Sequence, residues 1–158
     1  MKNLLLTAFI IFSIGKISAQ SPLINDFRKI ITERSTGFKS LQQDLLQDNT
    51  EKQVKIYSPS IGNSAICKAF ITQSAANGAT FLLVYNVEAM DAMSLKIFNN
   101  MAQQYITELN DMVKSGNYKG RDYNDGADSI TEVTDLDGKV VAQYVSNSAD
   151  HMILVFGA

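Results

Sequence analysis

The sequence predicts an α+β fold: an antiparallel sheet of six to seven strands with two long helices packed on one face. Three observations carry that expectation. Apolar residues recur at steps of three and four over residues 23–46 and again over 91–114, the period of a helix buried along one side. Each stretch is followed by short runs rich in β-branched and aromatic residues, separated by Asn, Asp, Gly and Ser. Those runs succeed one another without intervening helices, which implies antiparallel pairing. Helix-strand-strand-strand therefore occurs twice, a pseudo-repeat in element order with halves at about 20–88 and 89–158 of a single domain.

The chain has 158 residues, 46% hydrophobic and 19% charged, with a formal net charge of −2. It is too apolar for a disordered chain and too short for two ordinary domains. The charge balance offers no electrostatic footprint for nucleic acid, which requires clustered Lys and Arg.

Residues 1–19 read as a secretory signal peptide. Met1-Lys2-Asn3 is a short positive start, Leu4–Ile14 is apolar apart from Thr7 and Ser13, and Ile17-Ser18-Ala19 supplies a small residue before Gln20. The apolar run is about half the roughly 20 residues that a spanning helix needs. The expected location is periplasmic or secreted, and the protein is not expected to span a membrane.

In the first helix, Ile24, Phe27, Ile31, Phe38, Leu41 and Leu45 form the stripe. Pro22 suits its first turn, and Ser35-Thr36-Gly37 could break or kink it. Strand runs follow at 54–57, 65–72 and 79–87. Asn77-Gly78 lies between the last two, and that dipeptide readily supplies the positive φ of a tight hairpin. The second helix spans about Asp91 to Lys114, with Phe98, Met101, Tyr105, Leu109 and Met112 on its stripe and Ser115-Gly116-Asn117 as its stop. Runs at 118–123, 129–134, 139–146 and 151–156 complete the second half.

In outline the chain resembles small exported bacterial α+β proteins of unassigned function. The likeness rests on the leader, on a helix ending near Gly37-Phe38-Lys39-Ser40-Leu41, and on strands with a cysteine, Cys67, in the second run. It implies export and the α+β class and carries no activity. The element order is also similar to that of type III secretion chaperones and of tandem-repeat protease- or lactamase-inhibitor modules, a likeness of fold that does not fix function.

Candidate chemistry is sparse. Cys67 is the one cysteine and sits in an apolar run, as a buried thiol does. His151 is the one histidine. Its neighbour Asp150 would point to the opposite face of a strand, so the two cannot pair. Met90 and Met93, with His151-Met152, have the residue types of a Cu(I) site, yet Met is also ordinary core filler. The densest polar cluster runs from Asp122 to Asp137, with Asp122, Asn124, Asp125 and Asp128 as candidate oxygen ligands for calcium or another metal. Counted from Asp122, Gly126 falls at position 5 and Glu132 at 11, one short of the calcium-loop register. A turn rich in Asp, Asn and Gly explains the cluster without a metal.

These observations favour a non-enzymatic binding or interaction module with no catalytic residues and no cofactor. The alternative is a metal-dependent hydrolase or calcium-binding protein built on the carboxylate cluster. Two strands, 81–87 and 151–156, are apolar on both faces, as central strands are. Two helices with one stripe each cover only one face of such a sheet. The other should meet a protein, an apolar ligand, a second copy in a homodimer, or the curled sheet itself. With the aromatic side given to the helices, Leu82, Val84, Ile153 and Val155 are expected at the centre of that second face.

Overall fold

The computed structural model describes residues 22–158. The leader at 1–19 lies outside the described residues. Helix α1 (Pro22–Glu33) leads through two short 3₁₀ turns (Arg34–Thr36, Lys39–Leu41) into strands β1 (Gln42–Asn49), β2 (Val54–Pro59), β3 (Lys68–Ser74) and β4 (Gly78–Asn86). Helix α2 (Ala92–Lys114) then precedes β5 (Tyr118–Asp125), β6 (Asp128–Asp135), β7 (Val140–Ser146) and β8 (Asp150–Phe156). All eight strands form one antiparallel sheet in the order β1-β2-β3-β4-β8-β7-β6-β5. Each half is thus a helix followed by a four-strand meander, and the halves join where β4 pairs with β8.

The class is as expected, and the strand count is eight rather than six to seven. The extra strand comes from the first helix, which stops at Glu33 instead of running on toward Leu46. Gly37 (φ 64) and Phe38 (φ 62) are both left-handed, which no α-helix accommodates, and they redirect the chain. Phe38 enters the core edge-on to Phe81, with ring centroids 5.8 Å apart. Phe38, Leu41 and Leu45 keep a helical spacing by coincidence. Leu41 is buried beside Phe38, whereas Leu45 is 50% exposed on β1. β1 is an edge strand with register shifts between Gln42 and Gln47, the irregularity that protects open edges from further pairing.

α2 follows the sequence closely. The Asp91 carboxylate accepts the Ser94 N–H at 2.7 Å, capping the helix, and Gly116 (φ 81) lies just beyond its end. Its stripe of Phe98, Met101, Ala102, Tyr105 and Leu109 is buried against the sheet. Ile24, Phe27 and Ile30 of α1 join the same core, where Phe27 meets Tyr105 edge-on. An Arg28–Glu108 pair (Nε to Oε2, 2.8 Å) ties the helices together at the surface.

The core therefore lies on one side of the sheet. Across the central ladder, Phe81 faces Val155, Leu83 faces Ile153 and Tyr85 faces His151 on the helix-covered side. Alternation puts Leu82 opposite Leu154 and Val84 opposite Met152 on the other. At the β3–β4 hairpin Ser74 pairs with Gly78, so Ala75-Ala76-Asn77 is a three-residue loop and Gly78 alone takes the positive φ (72). No helix among the described residues is long and apolar enough to cross a membrane.

Candidate functional site: the helix-free face of the sheet

The face away from the helices carries Phe70, Leu82, Val84, Val145, Met152, Leu154 and Phe156 in mutual register. Among the described residues no second layer covers it, yet these side chains are half-buried or buried. Val145 and Ile130 are buried although neither belongs to the core under the helices. With no helix on this side among the described residues, neighbouring side chains of the face itself supply that shielding.

A hollow of about 840 Å³ lies across β3, β4, β8 and β7, between the β3–β4 turn and Lys139. Leu82, Leu154 and Phe156 give it an apolar floor, and Thr72, Val140 and Gln143 contribute to its walls. A smaller hollow of about 320 Å³ adjoins it at Val140, lined by Lys119, Arg121, Glu132 and Thr134. Val140 belongs to both. It lies beside a register shift in the β6–β7 ladder, after which Thr134 pairs with Val140.

Glu132 is 2% exposed on this face and fully engaged. Arg121 Nε donates to its Oε1 at 2.7 Å, while Gln143 Nε2 (2.6 Å) and the Tyr123 hydroxyl (3.1 Å) donate to Oε2. The Arg121 guanidinium lies over the Tyr123 ring, 4.8 Å from its centroid. Burial pushes the Glu132 carboxyl up, but the three donors and the Arg121 charge outweigh it and hold the group below its ordinary value. Its charge is therefore fixed by neighbours, with no poised proton.

Of the four side chains expected at the centre of this face, Leu82 and Val84 stand on it, whereas Ile153 and Val155 stand on the helix side, each 1% exposed. The β4–β8 ladder pairs even-numbered positions with even-numbered ones, so Leu82 aligns with Leu154 and excludes Ile153. Leu154, Phe156 and Val140 are the residues that sequence reasoning missed. The Arg121–Glu132 pair was also missed, although a signal existed: the tight Gly126-Ala127 turn fixes Asp125 opposite Asp128, and counting back gives Arg121 opposite Glu132.

The alternative metal ligands do not converge. Asp122 and Asn124 point to the helix side of β5, while Asp125 and Asp128 point to the other. Asp128 Oδ1 accepts from Asn147 Nδ2 at 2.8 Å. Among the described residues, no group of three or more His, Cys, Asp or Glu could hold a metal ion. Met90 packs against the core and Met93 is 75% exposed, while His151 and Met152 occupy opposite faces, so the thioether set is dispersed.

Cys67 is buried just before β3, and burial pushes its thiol up to about 11, which makes it a poor nucleophile at neutral pH. Under α2, Tyr85 and Tyr105 share a hydroxyl hydrogen bond at 2.9 Å, and burial pushes both hydroxyls well above the ordinary tyrosine value. A further hollow of about 610 Å³ lies at the β1–β2 and β3–β4 turns. Asp48, Thr50, Gln53, Lys55 and Gln73 bring polar groups to a lining in which apolar surface still predominates, and an Asp48–Lys55 pair at 3.5 Å joins its two charged side chains. No family model, curated protein or solved structure matches the chain.

Proposed function

We propose that this protein is an exported, non-enzymatic binding module that holds an apolar ligand on the helix-free face of its sheet. The observation that carries the reading is the hollow of about 840 Å³ floored by Leu82, Leu154 and Phe156. Its size falls within the range of small-molecule sites, and an apolar floor with a few polar wall groups is their usual chemistry. The same concavity disfavours a homodimer, since two copies of a hollowed face meet at their rims rather than at their centres. A partner protein would have to present a convex plug. Export is read from the leader pattern at residues 1–19.

The test is titration with the neutral fluorophore N-phenyl-1-naphthylamine. Wild-type protein should enhance its emission saturably, and Leu154→Lys, which sets a charge in the floor, should abolish the enhancement with unchanged circular dichroism. Equal binding by a folded Leu154→Lys variant overturns the proposal.

A further inference from the structure

The two hollows on the helix-free face meet at Val140, the lining residue they share, and are taken together as a trough with unlike ends. The larger part crosses three interstrand steps, β3 to β7, about 14 Å at the usual strand spacing. Beyond Val140 the trough continues over β6 and β5, and there its lining changes from Leu and Phe to Lys119, Arg121 and Thr134. Lys119 is exposed, and its Nζ reaches only the Leu136 carbonyl at 3.2 Å. Arg121 meets Glu132 through Nε and remains 66% exposed. The one carboxylate in this end, Glu132, is buried and committed to its three donors. Two other acids sit close by, one at the end of β6 and one in the β6–β7 turn. Asp135 points to the helix side, with Oδ1 accepting the Lys139 N–H at 2.8 Å, and Asp137 is exposed. With Lys139, which lines the larger hollow next to Val140, the free side-chain charges that a ligand would meet are cationic and gather from Val140 toward β5.

Resting on the reading of the larger hollow as a binding site, we infer that the occupant is a single-chain amphiphile with an anionic head. Its chain lies over Leu82, Leu154 and Phe156, passes Val140, and delivers the head to Lys119 and Arg121. A single chain suits the site, because the apolar lining crosses three interstrand steps and the smaller hollow holds only about 320 Å³. Apolar contact supplies the affinity and the cations supply the orientation. No bond is made or broken.

Three probes of one chain length separate the parts of this inference: dodecanoate, dodecanol and dodecyltrimethylammonium, each titrated calorimetrically below its micelle concentration at low salt. Dodecanoate should bind about fivefold more tightly than dodecanol, the scale of one exposed ion pair, and the preference should shrink in 0.5 M salt. Lys119→Glu alters an exposed position and should leave the fold intact by circular dichroism. In that variant the preference should reverse toward dodecyltrimethylammonium, while dodecanol binds as before. Equal affinity of wild type for dodecanoate and dodecanol overturns the head assignment and leaves the apolar site standing. A Lys119→Glu variant that keeps the dodecanoate preference overturns it as well. If none of the three probes binds the folded protein, the site itself falls.

Discussion

Tyr144 Oη lies 2.5 Å from His151 Nδ1, beneath α2 and beside the edge of Phe98. Burial pushes the Tyr144 hydroxyl up to about 12, so it keeps its proton and donates, and Nδ1 must accept. That bond requires a neutral imidazole. Burial lowers the His151 pKa for the same reason, with the Asp150 charge opposing it.

The sign of the pH effect follows. A histidine with a lowered folded pKa takes up its proton more readily in the unfolded chain. Its contribution is complete above the ordinary value of about 6.5, falls as pH drops below it, and levels off once the folded form is protonated too. Urea midpoints should decline from pH 7.5 to pH 5.5 in the wild type and decline less in His151→Asn. Parallel curves for the two proteins would exclude His151 as the group responsible.

Neighbouring leucines on β4 should respond differently to truncation. Leu83 is 2% exposed beneath the helices, and Leu83→Ala should cost about 2–5 kcal/mol in equilibrium unfolding. Leu82 lies half-buried on the other face, so Leu82→Ala should cost less than about 1.5 kcal/mol while weakening N-phenyl-1-naphthylamine binding. Equal stability losses would mean that the two faces are equally packed.

Glu132→Gln should destabilise the protein by about 1–3 kcal/mol at pH 7. Gln143 and Tyr123 both donate to Oε2, and an amide offers them an acceptor only by turning its own N–H₂ toward Arg121. The wild-type carboxyl titrates below its ordinary value, so its contribution is present above about pH 4.5 and is lost as pH falls through the folded value. The stability gap between wild type and variant should therefore be widest at pH 7 and narrow progressively as pH is lowered below about 4.5.

Gly37→Ala tests the chain reversal that ends α1. An added Cβ would meet nothing nearer than the Ala79 Cβ at 3.5 Å, so space is not the obstacle. The left-handed φ of 64° is, and the change should cost about 1 kcal/mol. Gly37→Asn, which tolerates this conformation better, should cost less. Thermal unfolding of the two variants ranks them directly.

The second half of the fold was the more legible. α2 carries its cap at Asp91, its stripe and its terminal Gly116 in adjacent sequence, and the 129–134, 139–146 and 151–156 runs match strands to within a residue or two. β1 was not legible because an exposed edge strand needs no apolar alternation. Its leucines continue the spacing of the helix before it, and only the conformation at Gly37-Phe38 separates the two. The helix-free face was half legible. Period-two alternation sorts the residues within β4 and within β8, but which set of one strand meets which set of the other is a property of their ladder. That ladder joins segments from opposite halves of the chain, with no short turn between them to set the register.

The pairing of β4 with β8 also orders events in time. Within each half, every strand finds its neighbour as soon as the next hairpin is made, so both meanders can assemble from local contacts. The seam between them must wait until α2, β5, β6 and β7 have all been delivered. Until then β4 presents an unpaired edge with Phe81, Leu83 and Tyr85 beside it, and long-range closure of this kind is slow. On a chain that emerges amino end first during synthesis, the first half would appear with its most adhesive strand bare. The trough on the helix-free face, which spans both meanders, would come into existence only when that seam closes.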